Sequence, residues 1–181
     1  MAVHQNKNDL SVEATQECLD AAALLLTTEK QDGGIMGYAA ALLLFCVADA
    51  IGHHLNYGSG DTRLDVLNHK SFGLGLSVDE IKQIKMWYRN PLSHNATVTP
   101  GVFITAEDDG SPFDFAQSPV TLRVHQFYKS VQAAWEPISS GAIPYDPLRH
   151  TIDRLTHLAK HPPFPGAVSA ATPPSSGAIE P

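Results

Sequence analysis

The chain has 181 residues, of which 43% are hydrophobic, so it is long enough to form one domain with its own core. Twelve Lys and Arg residues are outnumbered by nineteen Asp and Glu residues, and the net charge is −7. This acidity excludes a broad DNA-binding surface and restricts any RNA contact to a small basic patch.

The N-terminal half predicts two long helices after a polar, disordered segment at residues 1–8. Apolar residues at helical spacing indicate a helix from Asp9 to about Glu29, which Gly33-Gly34 ends. The next segment, Ile35 to Asn56, is apolar on nearly every face and predicts a central helix. Other helices or a second copy of the chain could cover it. Because this apolar surface is more than a small bundle can cover alone, we predict an obligate homodimer through this helix.

The sequence predicts a cytoplasmic protein. No basic region followed by an apolar region is present in the first thirty residues, so no signal peptide is expected. The uncharged stretch at residues 33–48 is shorter than the roughly 20 apolar residues of a membrane span, so no membrane contact is expected. Cys18 and Cys46 lie in apolar helical stretches and are predicted to be buried free thiols.

The middle of the chain predicts a short helix near Leu64–His69 and a longer one that begins at Ser77. Ser77 and Glu80 have the spacing of a capping box, in which each side chain binds the backbone N–H of the other residue. Pro91 falls inside the apolar pattern of this helix, so a kink is expected there.

The remaining segments complete a prediction of an all-α bundle of four to five helices, spanning residues 9–160. Residues 101–106, 107–112 and 113–117 have the pattern of a strand, a turn and a second strand, which indicates a small β-hairpin insertion at about 101–123, with a third short strand near residues 120–124. An amphipathic helix follows near His125–Ile138. A weaker helix is expected from Asp146 to about Lys160. Residues 161–181 are rich in proline and are predicted to form a disordered tail.

The chemistry of the sequence is concentrated in Arg89, Asn90 and His94, near the end of the capped helix. The imidazole of His94 can transfer protons, and the guanidinium of Arg89 can stabilise charge that develops on phosphorus. Asn90 could orient the substrate or fix the tautomer of the histidine. These groups are suited to RNA cleavage without a metal ion. Alternatively, a cation and an imidazole at this position simply cap the C-terminus of a helix.

Spacing alone is weak evidence for a site, because Arg63/His69 and Arg154/His161 also have a similar separation. Only the pair of Arg89 and His94 combines a polar residue directly after the arginine with a helix that has a hydrophobic face.

The sequence Tyr-Arg-Asn-Pro-Leu-Ser-His-Asn around Arg89, Asn90 and His94 resembles the HEPN superfamily. That family is marked by an arginine, a polar residue that is usually asparagine, and a histidine four to six residues later, located late in a bundle of four or five helices. The resemblance covers roughly residues 9–140. It implies a homodimer with two motifs facing a shared cleft, and metal-independent endoribonuclease activity of the toxin or defence type. Some members of the family only bind nucleotides or RNA.

Three further residues are candidate binding residues. Asp49 could line the cleft opposite Arg89, and Lys82 and Lys85 could form a phosphate-binding ridge with Arg89, although a charged stripe is usually the solvated face of a helix. Asp49, with His53, His54 and His69, could also be considered as a set of metal ligands. However, the spacing of these residues in the sequence is not that of a known metal site. We therefore expect neither a metal ion nor a cofactor.

Two functions remain open at this point. The first is an endoribonuclease that uses Arg89, His94 and Asn90. The second is a non-catalytic dimeric module that binds RNA, a nucleotide or a partner protein such as an antitoxin. The intact motif favours the first function, and the acidic net charge favours the second.

Overall fold

The structure is a computed structural model that describes residues 7–31, 33–55, 57 and 60–143. The predominantly helical fold that the sequence predicts is present. The predicted helix at 146–160, the predicted tail at 161–181 and residues 1–6 of the predicted disordered N-terminus lie outside the described residues. The prediction of disorder is wrong for Lys7 and Asn8, which belong to the first helix. The helices are α1 (Lys7–Thr27), α2 (Gly37–His54), a 3-10 helix (Gly60–Asn68), α3 (Val78–Ile84), α4 (Asn90–Asn95) and α5 (Val124–Ser139), and the strands are β1 (Val102–Thr105), β2 (Phe113–Asp114) and β3 (Val120–Arg123).

Helix α2 forms the centre of the hydrophobic core, with α1, α5 and the 3-10 helix packed around it. A Cβ atom at Gly52 would lie 2.5 Å from the backbone oxygen of Arg63, so glycine allows the 3-10 helix to approach α2 closely. The buried residues of α2 are Gly37, Ala40, Ala41, Leu44, Phe45, Val47, Ala48, Ile51, Gly52 and His54. A single chain thus covers most of the apolar surface that suggested a dimer.

Among the described helices, α2 alone has the length and composition that could suit a membrane span. However, 56% of its residues are buried inside the fold. Other helices of the same chain pack against α2 on several sides, as is typical of the core helix of a globular domain.

The predicted capping box is confirmed at the start of α3. The Ser77 side chain accepts a hydrogen bond from the Glu80 N–H at 3.2 Å, and the Ser77 N–H donates to the Glu80 carboxylate at 2.7 Å. These hydrogen bonds to Ser77 lower the pKa of Glu80. The first turn of the helix is therefore fixed by local sequence.

The predicted kink at Pro91 takes the form of a π-turn over Lys85–Arg89, which joins α3 to α4 without a break. The Asn90 N–H donates to the carbonyl of the residue five positions earlier, Lys85. Proline has no N–H, and in a regular α-helix its ring clashes with the carbonyl four residues before it. The wider turn relieves that clash and sets the position of Arg89.

Thr99 satisfies the carbonyl groups that the π-turn leaves without helical partners. Its backbone N–H donates to the Trp87 carbonyl at 3.0 Å, and its hydroxyl donates to the Met86 carbonyl at 3.2 Å. The segment after α4 thus stabilises the irregular geometry before it.

The β insertion is a three-stranded sheet in the order β1-β3-β2, so the predicted hairpin between the first two strands is wrong. Strand β1 is parallel to β3, with Val102 opposite Val120, and β2 is antiparallel to β3, with Phe113 opposite Leu122. The reason is burial: β3 is buried along most of its length and occupies the centre, whereas β2 has only two residues. The chain is therefore not strictly all-α.

Tyr88 anchors this sheet to the π-turn. The side chain is fully buried, and its hydroxyl lies 3.0 Å from the Val120 carbonyl oxygen and 3.3 Å from the Phe103 carbonyl oxygen. Burial raises the pKa of the hydroxyl, so it remains protonated and can donate. One side chain thereby links the helix that carries Arg89 to β1 and β3.

Candidate functional site

Arg89 lies at the end of the π-turn and contacts Asp49 on the core helix α2. Its Nη2 lies 2.9 Å and its Nε lies 3.3 Å from the same carboxylate oxygen, Oδ2 of Asp49. The exposed fractions of the two side chains are 27% for Arg89 and 22% for Asp49. At this partial burial the ion pair is less screened by solvent than a surface pair, so Asp49 fixes the position of the guanidinium.

Asn90 holds the other side of the guanidinium. The Nη1 of Arg89 donates to the Asn90 side-chain oxygen at 3.1 Å. The Asn90 side chain therefore contacts the arginine. Among the hydrogen bonds of the described residues, none joins Asn90 to His94. A guanidinium has five N–H donors. Three are directed at Asp49 and Asn90, and the other two have no partner among the described residues.

His94 lies in the last turn of α4 and is exposed. Because it follows Asn90 by four residues in a helix, the two side chains share one face of α4. Ala96, with a φ of 53°, ends the helix in the left-handed region, and its N–H donates to the Leu92 carbonyl. The imidazole is therefore exposed to solvent, five residues after Arg89 in the chain.

The hydroxyl of Ser93 forms hydrogen bonds with the backbone at the start of its own helix, α4. It donates to the carbonyl oxygens of Arg89 at 2.9 Å and Asn90 at 3.1 Å. The serine thus makes a local contact with the backbone, and this contact does not depend on a ligand.

The two lysines of the predicted ridge are paired with carboxylates of the chain itself. Lys82 lies 3.1 Å from Asp79, and Lys85 lies 2.8 Å from Asp65 on the 3-10 helix. Only 18% of the Lys85 side chain is exposed. Each cation of the predicted phosphate-binding ridge therefore has an acidic partner within the chain, and a phosphate would have to compete with these carboxylates.

Sequence reasoning missed two features of this site: the π-turn and the carboxylate of Asp65. Pro91 signalled an irregular helix, but the form of the irregularity depends on Thr99, which follows α4 in the chain. Asp65 lies twenty residues before Lys85, and no periodic pattern connects the two residues.

His54 is not available as a polar group at this site. It is buried, and its ring packs against Trp135 with a centroid distance of 5.6 Å. Burial, with a smaller contribution from His53, lowers the pKa of His54 to about 4. Within the described part of the chain, no group of three His, Cys, Asp or Glu residues could hold a metal ion.

Comparison with known proteins identifies no relative: no family model matches the chain, and neither a curated protein nor a solved structure gives a significant match. Chemically, the site combines a cation that Asp49 and Asn90 hold in place with an exposed imidazole five residues later in the same helical segment. Such a pair can bind a phosphodiester and move a proton at one of its oxygens.

Proposed function

We propose that this chain is a metal-independent endoribonuclease of the HEPN type that acts in the cytoplasm. The observation that carries the proposal is that Asp49 and Asn90 hold the guanidinium of Arg89 in place, and that the exposed His94 follows it by five residues in the same continuous helical segment. The two remaining N–H donors of the guanidinium can bind a phosphate oxygen.

In the proposed reaction the 2′-hydroxyl of the substrate attacks the neighbouring phosphorus atom. The new bond joins the 2′-oxygen to phosphorus, and the bond from phosphorus to the 5′-oxygen of the next nucleotide breaks. His94 accepts the proton of the 2′-hydroxyl or donates a proton to the leaving 5′-oxygen, and water exchanges the proton at the other oxygen, so that no net proton is consumed. Arg89 stabilises the negative charge of the five-coordinate phosphorus. The products are a 2′,3′-cyclic phosphate and a 5′-hydroxyl.

A homodimer is part of the proposal, because the resemblance places two motifs across a shared cleft. In support, two large apolar side chains at the start of α2 are exposed: Met36 at 39% and Tyr38 at 50%. Sedimentation of the wild type at micromolar concentration tests this part, and a stable monomer contradicts it. As a toxin or defence component, the protein would also have an antitoxin or another protein partner.

A second candidate function is a non-catalytic module that binds RNA, a nucleotide or a partner protein. The specific observation that favours it is the pairing of Lys82 and Lys85 with carboxylates, which leaves little uncompensated positive charge for RNA along α3 and the start of the π-turn.

Cleavage of RNA in the presence of EDTA distinguishes the two functions. The wild type should cleave, and Arg89→Ala and His94→Ala should each lower the rate about a hundredfold or more, as expected for the loss of a charge-stabilising group or a general acid–base. His69→Ala is the matched control. The pair of Arg63 and His69 has a similar spacing in sequence, but Arg63 lies within the 3-10 helix and His69 directly follows it. Its rate should equal that of the wild type.

The outcomes separate clearly. A requirement for added divalent metal, or products with 3′-hydroxyl ends, contradicts the mechanism. Equal inactivity of the wild type and both variants on all RNAs tested would favour the binding module.

A further inference from the structure

The two cysteines of the chain, Cys18 on α1 and Cys46 on α2, line the same groove between these helices. The groove has a volume of about 200 Å³. Cys18 is half-buried, whereas Cys46 is exposed, so the prediction that both thiols are buried is wrong for Cys46. The reason is that α1 covers only part of the α2 surface at this level and leaves the groove open.

The environment of Cys46 indicates how close the surrounding groups lie. Desolvation raises the pKa of its thiol, the negative charges of Asp49 and Cys18 raise it further, and Arg89 acts in the opposite direction. The thiol of one helix therefore lies within electrostatic range of the thiol of the other. Cys46 also precedes Asp49 by about one turn of α2, so the groove adjoins the ion pair of the candidate site.

We propose that Cys18 and Cys46 form a reversible disulfide that links α1 to α2. The axes of packed helices lie about 8–10 Å apart. Facing residues on such helices approach the Cα separation of about 4.4–6.8 Å that a disulfide needs. Both thiols line a single groove, so neither has to cross the core to reach the other. This proposal does not depend on the proposed ribonuclease function.

The oxidant in this reaction is a low-molecular-weight disulfide. The thiolate of the exposed Cys46 attacks one of its sulfurs and forms a mixed disulfide, and one small thiol leaves. The thiolate of Cys18 then attacks the Cys46 sulfur, forming the internal S–S bond and releasing the second small thiol. The two protein thiols lose their protons and two electrons, and the small disulfide is reduced to two thiols.

Incubation of the full chain with oxidised glutathione at mildly alkaline pH, followed by mass spectrometry, tests the proposal. The wild type should lose the mass of two hydrogen atoms, and digestion should yield a peptide containing Cys18 linked to one containing Cys46. In Cys18→Ser the second step is blocked, so the mixed disulfide should accumulate on Cys46. Circular dichroism of this variant checks that it is folded.

Three results would overturn the proposal. The wild type could retain glutathione on either cysteine without forming the internal bond, it could form a disulfide between two chains, or it could remain fully reduced while Cys18→Ser accumulates the mixed disulfide.

Discussion

Asp49 and Arg89 lie forty residues apart, and they join the core helix α2 to the π-turn through two N–H contacts with a single carboxylate oxygen. The core helix thereby determines where the guanidinium of the candidate site lies. The carboxylate also compensates the arginine charge. A phosphate that binds here therefore has to use the remaining donors of the guanidinium, or compete with Asp49 for those already engaged.

Replacement of the carboxylate should destabilise the fold. Asp49→Ala leaves a partly buried guanidinium without its anion, and the free energy of unfolding should fall by roughly 1–3 kcal/mol. Urea denaturation measures this change. Asp79→Asn is a matched control, because its pair with Lys82 is largely exposed. The Asp79→Asn substitution should lower the free energy of unfolding by less than about 1 kcal/mol.

A double-mutant cycle with Arg89→Ala tests whether the loss comes from the ion pair. The double variant should be destabilised by less than the sum of the two single variants, because both single changes break the same contact. Strict additivity would show that Asp49 stabilises the fold by another route.

The π-turn should depend on Pro91. In Pro91→Ala the new N–H can donate to the Trp87 carbonyl, which Thr99 satisfies in the wild type. The helix should become regular, and the Thr99 amide should then exchange with solvent faster in NMR experiments. Because the change displaces Arg89, RNA cleavage should fall roughly tenfold or more if the proposed function is correct.

Pro137→Ala is the control for that experiment, since Pro137 also lies inside a helix, α5. It should leave the exchange of Thr99 and the cleavage rate unchanged. Unchanged exchange in Pro91→Ala as well would mean that other contacts hold the π-turn.

The hydroxyl of Tyr88 should contribute to the stability of the junction between helix and sheet. Tyr88→Phe removes the donor shared by the carbonyls of Phe103 and Val120, and the free energy of unfolding should fall by roughly 1–2 kcal/mol. Tyr128→Phe, at a partly exposed position on α5, should change it by less than about 0.5 kcal/mol. Equal effects of the two variants in thermal or urea unfolding would contradict this role.

Local features of the fold could be read from the sequence. The capping box at Ser77 and Glu80 involves residues three positions apart, and its chemistry is complete within one turn of helix. Helices α1, α2 and α5 follow from the periodicity or continuity of their apolar residues. The segment that contains Arg89 and His94 could be recognised as a candidate site from the sequence, because these residues are only five positions apart and lie on one short helical segment.

Features that depend on distant partners could not be predicted in the same way. Residues 101–123 have the local pattern of strands, but which strand takes the centre depends on burial against the helices, and the parallel pairing of β1 with β3 follows from that. The partner of Lys85 is likewise set by the packing of the 3-10 helix against α3. The exposure of Cys46 depends on how much of α2 the first helix covers.

The stability of the fold should depend on pH through His54. Burial lowers its pKa in the folded chain to about 4, against 6.5 for an ordinary histidine. Between these values the unfolded chain binds a proton that the folded chain does not, so the free energy of unfolding falls as the pH decreases from about 6.5 to about 4. The full loss corresponds to roughly 3 kcal/mol. The effect of this histidine should fade above pH 6.5, as the unfolded chain loses the proton.

Urea denaturation across that pH range, followed by the fluorescence of the two tryptophans, measures the slope. His54→Phe retains an aromatic ring against Trp135 and removes the titrating group, so its stability should vary less with pH than that of the wild type. His53→Gln should keep most of the slope, because desolvation affects the pKa of His54 more than the neighbouring histidine does. If the curves of wild type and His54→Phe run parallel from pH 7 to pH 4, another group is responsible for the loss of stability in acid.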